Sequence, residues 1–406
     1  MNSCFAPPKP LRIVCFLLLT ISAGVPGMAQ SVAPYEARLA VYRATLAQLR
    51  AERPARRQLP PLGFYLFGMG DRRKLVYQAG TLRDAVSGDT LRRWSVSREV
   101  IVPHDYTVAL ETTAKQLVII REDERGVYIR EGNRQTTLSR SPLRLPTFSA
   151  HPYGPVLRVL HHEVLINVRN GLPVPNFFVY QKPWLRDATL MGMVMQRTNN
   201  LRLIKPWIMS LRETFDRNNH GIAEADNPGQ VLYLISLVSN KNHPLVRPTL
   251  DSARQFVKQQ GGLTYLDGKT DYAAHPVFQT KWMKYGLKAL GLPDPYQIPP
   301  VYDLYSSLFW WAYKEQHVPG ARFDAGSSDN YPYLVWAQDH FFGEKNGILT
   351  DQDYPLSWES KASDAQYPGL QRLDPSLIAQ KLSLPHTWHA AEMFLLLHEQ
   401  PTSAPK

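Results

Sequence analysis

The sequence Pro183-Trp184-Leu185-Arg186-Asp187-Ala188, followed by the apolar run 190–195, sets a large aromatic and an adjacent cation–carboxylate pair at the mouth of a helix. An indole offers a flat apolar face, and an Arg–Asp pair offers bidentate hydrogen bonds. Together they suit the two sides of a sugar ring. Trp184, Arg186 and Asp187 are therefore the first candidate binding residues, and the segments on either side are read for what could complete a pocket around them.

Upstream, residues 1–30 carry Lys9 and Arg12, a short apolar core at 13–21 and the small residues Gly27-Met28-Ala29. That order is expected of a cleaved secretory signal, too short to span a bilayer. Both cysteines, Cys4 and Cys15, fall inside it. The mature chain is thus expected to contain neither disulfide, cysteine nucleophile nor thiolate metal site. No later run approaches the length of a membrane helix, so no membrane insertion is expected after cleavage and the expected location is periplasmic or secreted. Removing Lys9 and Arg12 lowers the formal charge from +11 to +9, and the remaining positive charge is scattered. No basic stripe carries a nucleic-acid motif, so a nucleic-acid partner is not expected.

Residues 31–57 place Tyr35, Leu39, Tyr42, Leu46 and Leu49 at helical spacing, ending at Pro54 and Pro60-Pro61. Between 62 and 150 the pattern becomes short β-branched and aromatic runs at 75–77, 94–102, 107–110, 117–120 and 127–129, separated by turn residues. This predicts a small antiparallel sheet of meandering hairpins. From about 154 the pattern is helical: 156–168, 188–197, 203–214, 228–238, 244–259, 275–290, 305–315, 331–342, 358–366 and 386–399. Plain turns alternate with long polar loops, as in a closed ring of helical hairpins. The expected domains are a signal peptide (1–30), a helix-plus-sheet domain (31–150) and a helical domain (151–406).

The long loops carry the candidate chemistry. Hydrolysis of a glycosidic bond needs two carboxyl groups flanking it. Glu224 and Asp226 precede Pro228, where helix capping is the competing reading. Asp271, Tyr272 and His275 precede another Pro-led helix, and a turn role for Asp271 competes with catalysis. Trp358-Glu359 lies near the end, where Glu359 could equally be a first-turn glutamate. His386 and Trp388 open the last helix. His161-His162 and His386-x-x-His389 lack the H-E-x-x-H spacing, so no metal is expected, and hydrogen bonding is the better reading of these histidines. Gly68-Met69-Gly70 meets Arg73 where a dinucleotide fingerprint needs glycine, and there is no G-x-S-x-G elbow, so no cofactor or serine-hydrolase chemistry is expected.

Trp184-Leu185-Arg186-Asp187-Ala188, with Pro385-His386-Thr387-Trp388-His389-Ala390-Ala391-Glu392, resembles motifs of the glucoamylase-like, six-hairpin glycosidases over residues 150–400. The resemblance implies a mainly α fold, an (α/α)6 toroid of helical hairpins behind a small antiparallel β domain. It implies an inverting glycoside hydrolase of oligo- or polysaccharide, in which Arg186 and Asp187 hold the non-reducing sugar. Carried over by position, the base falls on Glu359 and the acid on Asp271 or Glu224. Asp226, Tyr272, His275, Trp358, His386 and Trp388 join Trp184 as substrate contacts. A polysaccharide lyase using Tyr272 or His275, and a non-catalytic glycan-binding envelope protein, are the alternatives.

Overall fold

In the computed structural model, the described residues are 31–52, 63–271, 273–301 and 386–399. Helix α1 (Ala33–Glu52) leads into two antiparallel meanders. The first contains β1 (Phe64–Phe67), β2 (Leu75–Gln78), β3 (Thr81–Asp84) and β4 (Thr90–Arg93), paired in that order. The second contains β5 (Val96–Val102), β6 (Thr107–Thr112), β7 (Leu117–Glu122), β8 (Gly126–Glu131) and β9 (Arg134–Arg140), also in order.

Alternation along the strands explains how both faces are buried. Val100, Val102, Ala109, Leu117 and Ile119 meet Val32, Tyr35 and Leu39 at the start of α1. Their neighbours Val108, Leu110, Val118 and Ile120 face the main core. In the first sheet, Phe64, Leu66 and Val76 pack on Ile166, Val174, Phe177 and Phe178. Tyr65, Phe67, Leu75 and Tyr77 turn the other way, into the main core.

The helices follow: α2 (Gly154–Leu165), α3 (Leu185–Arg197), α4 (Lys205–Ser210), α5 (Asn227–Val238), α6 (Val246–Ala253), α7 (Pro276–Leu290) and α8 (Thr387–His398). Helix α8 packs on α2 and α3, α3 on α5, and α5 on α7. The main core runs without a break from Tyr42 in α1 through both sheets to Phe394 in α8.

A buried charge cluster fixes the sheets to the helices. Glu122 accepts the Gly68 and Met69 N–H groups at 2.9 and 2.8 Å and Arg72 Nη1 at 2.9 Å. The Arg72 and Glu122 side chains are both fully buried. Lys74 Nζ donates to the Gly68 and Gly70 carbonyls, and burial pulls this ammonium down to about 7 despite the opposing pull of Glu122. The Gly70 N–H then reaches the Leu165 carbonyl at the end of α2, 2.8 Å away.

The expected mainly α toroid is not what the chain forms. Among the described residues there are eight α-helices and five antiparallel sheets. Three of those sheets are two-stranded hairpins lying within the region expected to be helical: β10 (Val168–Arg169) with β11 (Leu172–Pro173), β12 (Val257–Gln260) with β13 (Leu263–Leu266), and β14 (Lys269–Thr270) with β15 (Ala273–Ala274). The helix expected over 244–259 ends at Ala253, because Gly261 and Gly262 at φ +60° and +78° make a two-residue hairpin turn. Strand β12 then pairs with β13 from Val257↔Leu266 to Gln260↔Leu263. The helix expected over 203–214 is reduced to α4. The expected helices at 305–315, 331–342 and 358–366 lie outside the described residues, as does the expected signal segment 1–30. No helix among the described residues is long and apolar enough to cross a membrane.

Helices α5 and α7 approach at glycine. A Cβ on Gly229 would sit 2.3 Å from the Trp282 backbone, and one on Gly286 would sit 2.5 Å from the Gly229 carbonyl. Gly229→Ala is expected to cost at least about 2 kcal/mol in urea unfolding, because backbone cannot rotate aside as a side chain can. Glu122→Gln leaves the buried Arg72 guanidinium without its counter-charge, and about 3–5 kcal/mol of destabilisation is expected in the same assay.

Candidate functional site

Pro183–Ala188 leads into a helix. Trp184 is the N-cap residue of α3, and Arg186 and Asp187 lie in its first turn. The Leu185 N–H is held by Asp216 Oδ2 at 2.7 Å, and Asn218 Nδ2 donates to the Pro183 carbonyl at 2.7 Å. This fixed start projects Arg186 into the angle between α5 and the β14–β15 hairpin.

Three carboxyl groups meet its guanidinium. Nε donates to Asp226 Oδ2 at 3.1 Å, Nη1 to Asp271 Oδ2 at 2.5 Å, and Nη2 lies 3.6 Å from Glu224 Oε2. The Trp388 ring covers the group, its centroid 5.0 Å from Cζ. Arg186 is 4% exposed, Asp226 0% and Glu224 2%, whereas Asp271 keeps 28% exposure and forms the open side.

The acids differ in their surroundings. Asp226 occupies the N-cap position of α5, yet its side chain makes no capping hydrogen bond. It receives Arg186, Thr270 Oγ1 at 3.0 Å and Gln230 Nε2 at 2.8 Å instead. Thr270 is held in turn by Gln279 Nε2 of α7 at 3.0 Å. Glu224 Oε1 accepts the Asp271 N–H at 2.7 Å and Asn219 Nδ2 at 3.3 Å. Burial, reinforced by the nearby Asp226 carboxylate, pushes the Glu224 carboxyl up to about 7, against the pull of Arg186. A glutamate at that value can hold its proton near neutrality and deliver it. Arg217, His220 and Asp271 adopt left-handed backbone conformations at φ +54°, +50° and +46° on the two segments that carry Glu224 and Asp271.

Asp187 faces the other way, toward α8. Its Oδ1 receives Thr387 Oγ1 at 3.0 Å and the Trp388 N–H at 3.2 Å, and lies 3.4 Å from His386 Nδ1. Burial raises its carboxyl above the usual aspartate range, opposed by His386 and Arg186. The expected sugar-holding pair is therefore engaged with the protein: Arg186 gathers the acids and Asp187 caps the last helix. Trp184 and His386 both meet the Tyr180 ring edge-on, at 5.8 and 6.0 Å. His275 is buried at the N-cap position of α7. Tyr272, Trp358 and Glu359 lie outside the described residues.

A cleft of about 310 Å³ opens beside the hexapeptide, with Leu185, Trp207, Phe215 and Asp216 among its lining residues. Burial also raises the Asp216 carboxyl. Asp216, Asn219, Gln230, Thr270 and Gln279 are not among the sequence candidates, because single polar residues in loops and helices carry no spacing signal. Glu392 did carry one. It is the only acid in Thr387–His398, a helix whose apolar residues leave no polar face. The adjacent histidines of the sequence are core residues: His162 Nε2 is 2.9 Å from the Leu66 carbonyl, and His161 stands 3.4 Å from Asn200 Nδ2. No group of metal-ligating side chains occurs among the described residues.

Asp226→Asn is expected to lower the Glu224 pKa from about 7, since the neighbouring negative charge goes and Arg186 is left closer to Glu224 alone. A carbon-13 carboxyl titration checks this, and an unmoved or raised value would contradict it. No family profile, no curated protein and no solved structure matches the chain, which together with the mixed fold overturns the resemblance to the six-hairpin glycosidases.

Proposed function

We propose that the chain is an exported glycoside hydrolase acting on oligo- or polysaccharide, with Glu224 as the general acid. The observation that carries this reading is a proton-holding glutamate sharing one guanidinium with the more open Asp271, under an indole face. Cleavage of a glycosidic bond needs such an acid at the leaving oxygen and a second carboxyl to activate water or attack the anomeric carbon. Asp271 is the described carboxyl best placed for the second role. Glu359, the other candidate, lies outside the described residues, and with it the expectation of inversion. Trp207 and Phe215 give the adjoining cleft apolar surface for a neighbouring sugar unit. Export rests on the composition of residues 1–30, and no partner beyond the saccharide is proposed.

The test is turnover of a panel of defined oligosaccharides by the mature chain. Reducing-end release is expected, with kcat/KM falling as pH rises through about 7, where Glu224 loses its proton. Glu224→Gln is expected to lower kcat by about 10²–10⁴-fold and to abolish that limb of the profile. Undiminished turnover by this variant removes the assignment of Glu224. Sugar binding without turnover anywhere on the panel would favour a glycan-binding protein instead.

A further inference from the structure

The outward face of the second meander is covered on one side and open on the other. Val100, Val102, Ala109, Leu117 and Ile119 lie against Val32, Tyr35 and Leu39 at the start of α1. Side chains alternate along a strand, so the same face continues through Arg121 on β7, Tyr128 and Arg130 on β8, and Gln135, Thr137 and Arg140 on β9. The three arginines are exposed. The register sets Arg121 opposite Tyr128, Tyr128 opposite Thr137, Arg130 opposite Gln135 and Arg140 opposite Gly126. With strands about 4.8 Å apart and about 3.4 Å per residue, the backbone of Arg130 stands roughly 8 Å from that of Arg121, and Arg140 roughly 12 Å from it.

These cations carry no counter-charge among the described residues. Arg140 Nη2 donates to Thr137 Oγ1 at 3.5 Å, and no described carboxylate pairs with Arg121, Arg130 or Arg140. None of the outward positions on β7, β8 or β9 is an acid. Glu122 and Glu131 point to the opposite face, where they accept Arg72 and Trp94 Nε1. Asp123 and Glu124 lie in the β7–β8 turn, where Asp123 Oδ1 accepts the Arg125 and Gly126 N–H groups and Glu124 Oε1 the Leu145 N–H. Charge on an edge strand guards it against pairing, but the edge here is β9, and Arg121 and Arg130 stand on the two strands inside it. Tyr128 lies among the arginines. A Cβ on Gly126 would sit 3.2 Å from Tyr128 Oη and 3.3 Å from its Cζ, so the ring is laid along the sheet over glycine, toward Arg140. The result is a low aromatic surface flanked by guanidinium groups.

We infer that this open sheet face docks an acidic polysaccharide, with Arg121, Arg130 and Arg140 pairing its carboxylates and one sugar ring resting on Tyr128. A guanidinium matches a carboxylate with two parallel hydrogen bonds, and an aromatic ring takes the apolar face of a sugar. Gln135 and Thr137 supply neutral partners for the hydroxyls between. A single-stranded nucleic acid calls for a row of aromatics under successive bases, and this face holds one. A lipid surface calls for exposed apolar anchors, and the apolar residues of this face, Leu117 and Ile119, are buried. The face shares no residue with the Arg186 cluster, so it stands or falls apart from the hydrolase reading.

Calorimetric binding to the mature chain tests it, at about 0.15 M salt, where charges farther apart than about 8 Å are largely screened. The probes are a galacturonate oligomer, a neutral glucose oligomer of equal length and oligothymidylate. The galacturonate oligomer is expected to bind at least tenfold more tightly than either of the others. Arg121→Ala, Arg130→Ala and Arg140→Ala together are expected to weaken it at least tenfold. Arg92→Ala, Arg93→Ala and Lys241→Ala together make the same charge change at other exposed positions and are expected to weaken it less than twofold. Tyr128→Ala, which leaves the charge intact, is expected to weaken it at least threefold. Absence of galacturonate binding, or glucose binding as tight, would overturn the inference. Tighter binding of oligothymidylate would overturn it in favour of a nucleic acid. Equal losses in the two triple variants would assign the affinity to net charge and remove this face from it.

Discussion

One guanidinium draws together parts of the chain that are otherwise far apart. Arg186 reaches from the first turn of α3 to Glu224 and Asp226 ahead of α5, to Asp271 in a hairpin tip, and to the Trp388 ring on the last helix. Burying a cation is costly unless its hydrogen bonds are made and its charge is matched. Three described acids overmatch it, and burial together with the neighbouring Asp226 charge leaves Glu224 holding its proton. The same burial that fixes the loops thus raises the Glu224 carboxyl. Structure and chemistry share a cause here, and any change to Arg186 acts on both.

The sheets repeat this logic without its consequence. Glu122 is as deeply buried as Asp226, but it meets Arg72, two backbone N–H groups and the nearby Lys74. There no acid is in surplus, and the Glu122 oxygens are taken up by protein donors. Such a cluster locks a loop in place and offers nothing to a ligand. Around Arg186 acids are in excess among the described residues, and Asp271 leaves one edge open. That difference, rather than burial itself, separates a structural ion pair from a candidate site.

Much of the architecture could be read from local pattern. Asn227–Val238, Pro276–Leu290 and Thr387–His398 fall close to their expected bounds, since proline at the start and an apolar repeat define a helix locally. Five of the nine strands between 62 and 150 were visible as β-branched runs, whereas Arg134–Arg140 was too polar to declare itself. The fold class was not legible. Short motifs around Arg186 and Trp388 resembled a helical toroid, while the Gly261-Gly262 turn, the plainest hairpin signal downstream of residue 150, read as the start of a long loop and strand Val257–Gln260 before it as the end of a helix. At the site, Glu224, Asp226, Asp271, Arg186 and Trp388 were each singled out separately. Their convergence on one guanidinium was not, because the contact between Arg186 and Asp271 spans 85 residues. Whether an aspartate at a helix start caps that helix or crosses to another element is decided by tertiary contact, and at Asp226 the crossing wins.

The glycine contact between α5 and α7 has a mechanical meaning for the pocket. Where the two helices meet at Gly229 and Gly286, backbone lies against backbone, and that crossing has no side-chain rotamer to yield. They behave as a single stiff strut. Asp226 stands at the head of α5, and the segment carrying Asp271 is pinned to α7 through Thr270 and Gln279. The acidic wall therefore keeps its shape whatever arrives. Compliance is left to the opposite wall, where Trp388 sits on a helix start that Asp187 secures from another helix. A ligand that needs more room would gain it by displacing the indole, so that accommodation and loss of the ring's cover over Arg186 would be a single event.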